Sequence, residues 1–362
     1  TSSALDHGMT WPPRLSPFPR PTIHRGINPC EYPRHILVTG GAGFIGSHLV
    51  DRVLDDGHRV TVLDDLSTGR YANVAQHQDN PAFELIIDTV LNDRLMEELV
   101  RRADRVFHLA SAVGVKLIMD QPVRTIETIF GGTDVVLRQC ARFRKRVLIP
   151  STSEVYGKGV SVPFREDDDV LTGATSKHRW AYACAKALDE FLALAHYKET
   201  RLPVTVARLF NTVGPRQTGQ YGMVVPRFVE AALVGEPLLV YGDGQQTRCF
   251  AHVADVVDGL CRMIETPTCF GQVINIGNDA EVSMSDLARR VTELTASRSE
   301  IRTIPYEHVY GEGFEDMRRR VPSLDKARRL IGYEARRSLT QILEDVIVEK
   351  RSEAAPGSTG HR

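Results

Sequence analysis

A short apolar strand followed by a glycine-rich turn constrains the fold of this chain more than any other feature. Residues 35–39 (HILVT) have the apolar, β-branched character of a buried strand, and Gly40, Gly43 and Gly46 follow them before the helical pattern of 47–57. Without side chains at those positions, a pyrophosphate can approach the N-terminus of the helix, where free amide groups and the helix dipole favour an anion. The segment therefore predicts a strand–turn–helix unit that binds a dinucleotide.

A second strand, RVTVLD at 59–64, ends on an acidic residue. Asp64 lies 24 residues after Gly40, where a carboxylate can hold the 2′- and 3′-hydroxyls of a ribose. A carboxylate there repels a 2′-phosphate, which favours NAD over NADP, although Arg70 leaves NADP open. Asp88 follows the run FELII and either reaches the adenine or is simply solvated. The predicted cofactor site comprises Gly40, Gly43, Phe44, Ile45, Gly46, Asp64 and Asp88, together with Tyr182 and Lys186 from a later part of the chain.

Strand-like and helical patterns alternate along the rest of the chain. Further strands are predicted at 104–110, 146–151, 203–210 and 272–277, and helices near 92–102, 122–143, 180–199 and 222–234. This alternation is typical of a parallel sheet covered by helices on both faces, an α/β fold with a Rossmann-type doubly wound sheet. Ligands of such sheets bind at the carboxyl ends of the strands, so the residues that follow each strand are the candidates for a site.

Hydroxyl, acidic and basic side chains lie after the strand at 146–151. Tyr182 and Lys186 are four residues apart on a predicted helix, so their side chains point the same way. A phenol has a pKa of about 10 in water, and an adjacent ammonium lowers it. The pair then predicts a base that takes a proton from a sugar hydroxyl while a hydride leaves to a nicotinamide, with Thr152 hydrogen-bonded to the same oxygen.

These residues resemble a known family, the extended short-chain dehydrogenase/reductases (the NAD-dependent epimerase/dehydratase family) that modify nucleotide-diphosphate sugars. The resemblance covers 35–348 and is strongest to the UDP-glucuronate decarboxylases, through the segments STSEVYG, RWAYACAK, LFNTVGPR, VYGDGQQTRCF and RRRVPS. It implies catalytic roles for Thr152, Glu154, Tyr182, Lys186 and Arg248. Glu154 is the discriminating residue, because the 4-epimerases of the family tend to carry a small residue where the decarboxylases carry glutamate.

The same resemblance implies how a substrate is held. It places Asn211 on the diphosphate, and Arg248 and Arg320 suit phosphate oxygens because guanidinium groups fit them as a fork. Lys116 either pairs with the carboxylate of the sugar or is a surface lysine. The implied substrate site comprises Lys116, Asn211, Arg216, Tyr241, Arg248 and Arg320.

The activity implied by the resemblance is an NAD-dependent decarboxylation of UDP-glucuronate. Oxidation at C4 gives a β-keto acid, which loses CO2, and the returned hydride then gives UDP-xylose. One alternative is a UDP-sugar 4-epimerase that acts on UDP-glucuronate or UDP-glucose through the same 4-keto intermediate. Another is a non-catalytic NAD-sensing binding protein of the same fold.

The expected organisation has four parts. Residues 1–34 contain seven prolines and are expected to form a disordered leader. An NAD-binding core follows at 35–214, with strands returning near 250–278. A smaller C-terminal α/β lobe for the sugar nucleotide takes 215–249 and 279–348, and 349–362 is expected to be a flexible tail.

Composition limits the partners. The chain has 45 Lys+Arg and 46 Asp+Glu, a net charge of -1, which gives no general attraction to nucleic acid or to an acidic membrane. No run of 18 apolar residues is present, so no membrane span is expected. The six cysteines form no CxxC pattern and no cluster with histidine, which indicates a reducing, cytoplasmic setting and no metal site. The resemblance also implies a homodimer formed through the helices at 122–143 and 180–199.

Overall fold

The fold is organised around a seven-stranded sheet, seen in a computed structural model that describes residues 33–111, 122–159, 161–177, 179–219, 223–310 and 317–354. Most of the predicted leader and Lys116 therefore lie outside the described residues. The strands are β1 (His35–Thr39), β2 (Arg59–Asp64), β3 (Phe83–Ile87), β4 (Arg105–His108), β5 (Arg146–Thr152), β6 (Val204–Leu209), β7 (Thr212–Val213), β8 (Leu238–Tyr241), β9 (Thr247–Cys249), β10 (Ala251–His252), β11 (Gln272–Ile276), β12 (Glu281–Ser283), β13 (Ile301–Ile304) and β14 (Arg319–Arg320).

Helices separate most of these strands. They are α1 (Phe44–Asp55), α2 (Asp93–Arg102), α3 (Pro122–Ile126), α4 (Gly132–Phe143), α5 (Arg179–Thr200), α6 (Val224–Val234), α7 (Val253–Glu265), α8 (Met284–Thr295), α9 (Tyr306–Tyr310), α10 (Asp325–Ile331) and α11 (Leu339–Ala354). A π-helical turn, Glu127–Gly131, joins α3 to α4. None of the helices in the described ranges is both long enough and apolar enough to cross a bilayer.

The central sheet has the order β11-β6-β5-β4-β1-β2-β3, and every neighbouring pair is parallel. The chain therefore winds outward from β1 in one direction and from β4 in the other. This confirms the predicted doubly wound α/β fold. The crevice between the carboxyl ends of β1 and β4 is the position at which such sheets bind ligands.

Two apolar clusters cover the two faces of this sheet. Along β1, Ile36 and Val38 belong to one cluster and Leu37 to the other, as the two-residue repeat of a strand requires. The first cluster includes Leu49 of α1 and Leu260 of α7. The second is built by side chains of α2, α4 and α5. Because both faces are covered, functional groups of the sheet are exposed only where strands end.

A separate apolar cluster forms from the later part of the chain. It packs side chains of α6, α8 and α11 around β8, among them Val229, Leu287 and Leu343. The sequence predicts a tail from 349, but α11 continues to Ala354. The physical reason is that Ile347 is buried in this cluster and Lys350 Nζ lies 2.9 Å from Glu230 Oε1 of α6, so the helix is anchored beyond 348.

Candidate active site

A cavity of about 580 Å³ lies at the carboxyl ends of the central strands. It gathers side chains that are far apart in the sequence, from both the central sheet and the later cluster. The predicted site residues that line it are Gly40, Gly43, Phe44, Ile45, Gly46, Asp64, Asp88, Thr152, Glu154, Tyr182, Lys186, Asn211, Arg216, Tyr241, Arg248 and Arg320. The motifs therefore meet in one place, while the role of each residue stays a prediction.

The glycine-rich turn brings the N-terminus of α1 against the crevice. Gly40 has a φ of +71°, and a Cβ there would lie 2.5 Å from the backbone nitrogen of Ala110, which follows β4. A Cβ at Gly46 would overlap the carbonyl oxygen of Gly40. Gly43 caps α1 without any side chain to cover the amide groups of its first turn. This is a cradle of the size and polarity that suits a phosphate group.

Asp64 ends β2 beside this cradle. Its Oδ2 accepts a hydrogen bond from the amide of Ala42 at 2.9 Å, and its Oδ1 accepts one from the amide of Leu66 at 2.9 Å. Burial raises the pKa of Asp64, and the two amide hydrogen bonds oppose that shift. Each carboxylate oxygen has further acceptor capacity for a ribose hydroxyl.

Asp88 is held in a similar way at the end of β3. Its Oδ1 accepts from the amide of Thr89 at 2.7 Å, and its Oδ2 accepts from Asn92 Nδ2 at 3.0 Å. Asn92 in turn caps α2 by accepting a hydrogen bond from the amide of Leu95. The carboxylate is therefore fixed at the rim of the cavity by the start of the next helix.

Tyr182 projects from α5 towards the end of β5. Thr152 donates a hydrogen bond to its phenol oxygen, and Thr152 Oγ1 accepts one from the amide of Glu154 at 3.2 Å. The sequence predicts that Lys186 lowers the pKa of Tyr182. The structure shows the opposite: burial and the negative charges of Glu154 and Asp189 raise the pKa of Tyr182 above its usual value.

The partner of Lys186 explains this difference. Lys186 Nζ donates to Asp189 Oδ2 at 2.8 Å, and both side chains are almost completely buried. Asp189 lies one helical turn further along the same face of α5, so it reaches the ammonium directly. An ammonium that is paired with a carboxylate stabilises a neighbouring phenolate less, because the two charges of the pair act on it in opposite directions.

A buried histidine, His108 at the end of β4, was not singled out by the sequence. Its Nδ1 lies 2.8 Å from Thr39 Oγ1, and its Nε2 lies 3.3 Å from Thr133 Oγ1. Burial and the nearby charge of Lys186 lower the pKa of His108 to about 3, so it is neutral. It links the strand before the glycine turn to α4. Its place at a strand end is the signal that could have identified it.

Glu154 and Arg320 form an ion pair within the cavity. Arg320 Nη2 lies 2.7 Å from Glu154 Oε1, and Arg320 is 7% exposed. The resemblance implies that Arg320 neutralises phosphate, but the structure pairs it with Glu154, for which the resemblance implies a role in decarboxylation. The pair joins the turn Ser153–Tyr156 to β14, two segments that no local sequence pattern connects.

The remaining predicted residues are held by neighbouring backbone or side chains. Asn211 Nδ2 donates to the carbonyl oxygen of Cys249 at 3.1 Å. Arg248 Nη1 donates to the carbonyl oxygen of Thr247 at 2.8 Å. Arg216 Nη2 lies 2.7 Å from Asp51 Oδ2, so part of this guanidinium is directed to α1.

Tyr241 makes a cation–π contact with an arginine. The guanidinium of Arg227, from α6, lies 3.9 Å from the ring centroid, and Arg227 Nη2 donates to the carbonyl oxygen of Leu239 at 3.0 Å. Arg227 also lines the cavity, and no motif of the sequence points to it. Within the described ranges, no group of three or more His, Cys, Asp or Glu side chains is arranged to hold a metal ion.

Comparison with known proteins identifies the class to which this fold and site belong. The sequence profile of the GDP-mannose 4,6 dehydratase family matches residues 37–346. The chain belongs to that family, which confirms the resemblance to the extended short-chain dehydrogenase/reductases that the motifs indicate.

Individual relatives show for which reactions and sugars similar proteins are named. A UDP-N-acetyl-alpha-D-glucosaminuronate decarboxylase of Bacillus cytotoxicus is 44% identical over 315 residues, which are 87% of this chain and 97% of that protein. UDP-glucuronic acid decarboxylase 1 of Danio rerio is 38% identical over 301 residues, 83% of this chain and 69% of that protein. Among solved structures, a UDP-glucuronic acid 4-epimerase from Bacillus cereus, in complex with UDP-glucuronic acid and NAD, has a TM-score of 0.79 at 27% identity and covers 88% of this chain and 99% of its own.

Proposed function

We propose that this chain is an NAD-dependent decarboxylase of a UDP-hexuronate, with UDP-glucuronate as substrate and UDP-xylose as product. The observation that carries the proposal is the meeting of Tyr182, Thr152 and the Glu154–Arg320 pair in one cavity. The relatives at 38–44% identity that are named as decarboxylases support it. A 4-epimerase uses the same tyrosine, and Glu154 is the residue that favours decarboxylation.

The chain's own residues suit NAD as the resident cofactor. The glycine cradle at Gly40 and Gly46 would be filled by a Cβ, so it leaves room for a pyrophosphate. Asp64 and Asp88, fixed at the ends of β2 and β3, offer acceptors to the ribose and adenine. NAD held by these residues would supply an acceptor and later a donor of the hydride, and its oxidised ring would add a positive charge to the cavity.

Tyr182 moves the proton in the oxidation step. Its oxygen takes the proton of the C4 hydroxyl as the C4 hydride leaves, and Thr152 keeps the phenol oxygen and the sugar oxygen in line. The raised pKa of Tyr182 keeps the phenol protonated at neutral pH in the protein alone, and a cation bound in the cavity would lower that pKa so that the proton is released to solvent. Tyr182 is then a proton donor again when the hydride returns.

Decarboxylation follows from the position of the new ketone. The C5–C6 bond breaks, CO2 leaves, and the electron pair of that bond moves into the C4 carbonyl as an enolate, whose oxygen accepts hydrogen bonds from Tyr182 and Thr152. C5 then takes up a proton that comes from water and is relayed by the carboxylate of Glu154. Glu154 is the acid nearest to this centre in the proposal, and Arg320 keeps it in place through their 2.7 Å contact.

The relatives differ in the substituent that their substrates carry at C2 of the sugar. The relative at 44% identity is named for a substrate with an N-acetyl group, whereas the relative at 38% is named for UDP-glucuronic acid. We therefore assign UDP-N-acetylglucosaminuronate as the second candidate substrate. The C4 oxidation and the loss of CO2 are the same for both sugars.

A competition assay tests the proposal. Equal amounts of UDP-glucuronate and UDP-N-acetylglucosaminuronate are given to the purified protein with NAD, and the products are identified by mass spectrometry. The expected result is a UDP-pentose, lighter than its substrate by the mass of CO2, with the ratio of products giving the preference at C2. A product of unchanged mass, a C4 epimer, would contradict decarboxylation.

Asp189→Asn is expected to move the pH dependence of kcat/KM to lower pH. The carboxylate of Asp189 raises the pKa of Tyr182, so a neutral amide lets that pKa fall, and the base ionises at lower pH. Of the charged groups around Tyr182, Glu154 is unchanged, His108 is neutral, and Lys186 loses its carboxylate partner, which also lowers the pKa of Tyr182. The measurement is a pH profile, with the exposed Asp93→Asn as control. An acidic limb that stays in place or moves to higher pH would show that Asp189 does not act on Tyr182.

We also propose that the chain forms a homodimer through α3 and α5. These helices pack against each other and expose apolar side chains, with Phe191 70%, Leu188 47% and Val123 68% exposed. An apolar face of this kind on adjacent helices is typical of a surface that a partner covers.

Phe191→Glu is expected to give a monomer. A charge placed in such an interface loses the apolar burial of the ring and is left without a partner, which weakens association by about 100-fold or more. Light scattering coupled to gel filtration measures the mass. The control is Val348→Glu, because Val348 is 66% exposed but lies on α11, and this variant keeps the wild-type mass. An unchanged mass for Phe191→Glu would place the interface elsewhere.

A further inference from the structure

A buried asparagine lies directly behind the cavity. Asn275, near the end of β11, is completely buried and does not line the cavity. Its Oδ1 accepts a hydrogen bond from the Tyr156 hydroxyl at 2.8 Å. Its Nδ2 donates to the carbonyl oxygens of Phe164 at 3.0 Å and Ser323 at 3.3 Å. One side chain thus holds three separate segments.

Two of these segments carry the members of the ion pair. Tyr156 ends the turn Ser153–Tyr156, which contains Glu154. Ser323 lies three residues after Arg320. The segment that contains Phe164 is hydrogen-bonded directly to the segment that contains Ser323. The amide of Phe164 donates to Val321 O at 2.8 Å, and the amide of Ser323 donates to Phe164 O at 2.8 Å. Asn275 therefore connects the backbone that carries Glu154 to the backbone that carries Arg320.

The surroundings of Tyr156 make this connection stiff. The Tyr156 ring is stacked on Phe164 with centroids 4.6 Å apart and planes 6° apart. The Arg208 guanidinium lies 4.7 Å from the Tyr156 ring centroid, and Arg208 is paired with Glu190 of α5 at 2.7 Å. Burial raises the pKa of Tyr156 to about 12, so the hydroxyl remains a donor throughout the neutral range.

We propose that the Tyr156–Asn275 hydrogen bond is a positioning device that sets Glu154 against Arg320 and so governs the decarboxylation step, while hydride transfer does not depend on it. The proposal rests on the proposed function. Neither Tyr156 nor Asn275 reaches the cavity, so both act through Glu154 and Arg320. The hydride step uses Tyr182, which is held by α5 and Thr152.

Tyr156→Phe is the variant that tests this device. It keeps the stacked ring and removes only the hydroxyl that donates to Asn275. Tyr333→Phe is the matched control: Tyr333 is 2% exposed, its hydroxyl donates to Gly277 O at 2.8 Å, and this hydrogen bond touches neither segment of the ion pair. Both variants lose a buried hydrogen bond of 2.8 Å, and Tyr156→Phe also loses the interaction of its hydroxyl with Arg208, so its melting temperature should fall by as much as that of Tyr333→Phe or more.

The expected kinetic results differ. Tyr156→Phe should lower kcat for CO2 release by about 10-fold or more, with KM unchanged, because small displacements of catalytic groups reduce rates steeply. Enzyme-bound NADH, followed by its fluorescence, should accumulate, since hydride transfer outruns decarboxylation. Tyr333→Phe should retain wild-type kcat and no NADH signal. Asn275→Asp, which loses the two Nδ2 donors, should accumulate NADH as Tyr156→Phe does.

Two outcomes overturn different parts of the account. If the wild-type protein releases CO2 and Tyr156→Phe does so at the same rate, or loses activity without NADH accumulation, the positioning role is wrong and the proposed function stands. If the wild-type protein releases no CO2 from either UDP-hexuronate, the proposed function is wrong, and the positioning role falls with it.

Discussion

Tyr182→Phe is expected to reduce turnover of the UDP-hexuronate by about 10²- to 10⁴-fold, the contribution typical of a positioned acid–base group. The phenylalanine ring keeps the packing of α5 but has no oxygen to take the C4 proton. Thr152 cannot replace it, because a threonine hydroxyl does not ionise in the accessible pH range. Hydride transfer, decarboxylation and epimerisation would all stop together, since each depends on the oxidation at C4.

Binding separates a catalytic from a structural role of Tyr182. NADH affinity, measured by fluorescence titration, and UDP affinity, measured by calorimetry, should remain within a few-fold of wild type, because the glycine cradle and Asp64 are unchanged. Tyr333→Phe, a variant of a buried tyrosine that does not line the cavity, should keep full turnover. Turnover that survives in Tyr182→Phe would assign the proton transfer to another group.

Glu154→Gln is expected to block the steady-state release of CO2 while leaving hydride transfer intact, because an enolate that is not protonated at C5 keeps the enzyme from turning over. The amide keeps the size of the side chain and an oxygen that can accept from Arg320, but it has no ionisable group that can pick up a proton and relay it to C5. Loss of a general acid reduces its step by about 10²- to 10⁴-fold. The negative charge of Glu154 also raises the pKa of Tyr182, so its removal favours ionisation of the phenol. Bound NADH should therefore accumulate on mixing with UDP-glucuronate.

Glu281 of β12 provides a matched control for Glu154→Gln, because its partner Arg319 lies beside Arg320 on β14. Arg319, next to Arg320, is paired with Glu281 at 2.7 Å, but this pair is exposed and lies outside the cavity. Glu281→Gln should leave CO2 release and the NADH signal unchanged. Equal effects of the two glutamine variants, or CO2 release by Glu154→Gln at the wild-type rate, would remove Glu154 from the mechanism.

The parts of the structure that follow from local pattern could be predicted from the sequence. The strand, glycine turn and acid at 35–64 form a continuous unit whose periodicity and spacing determine its geometry. The helix that bears Tyr182 and Lys186, and the strand that ends at Thr152, were predicted within one or two residues. The strands of the later cluster have only two to four residues, too few for a period to be visible.

Partners that meet only in three dimensions could not be predicted. The sequence contains both Glu154 and Arg320, but their contact depends on where β14 packs after the second cluster has formed. Asp189 lies only three residues after Lys186 in the sequence. Its effect on the pKa of Tyr182 depends on burial, because the buried ion pair with Lys186 leaves Tyr182 with a raised pKa. Burial is a property of the packed molecule, so the direction predicted for Tyr182 was wrong.

The carboxyl carbon of the sugar provides the most direct test of the central claim. UDP-glucuronate labelled with ¹³C at C6 is given to the protein with NAD, and both the gas phase and the nucleotide sugars are analysed by mass spectrometry. Decarboxylation of the UDP-hexuronate predicts one labelled CO2 for each UDP-pentose formed and no net NADH. Label that remains in a UDP-hexuronate of unchanged mass, with a changed configuration at C4, would contradict it.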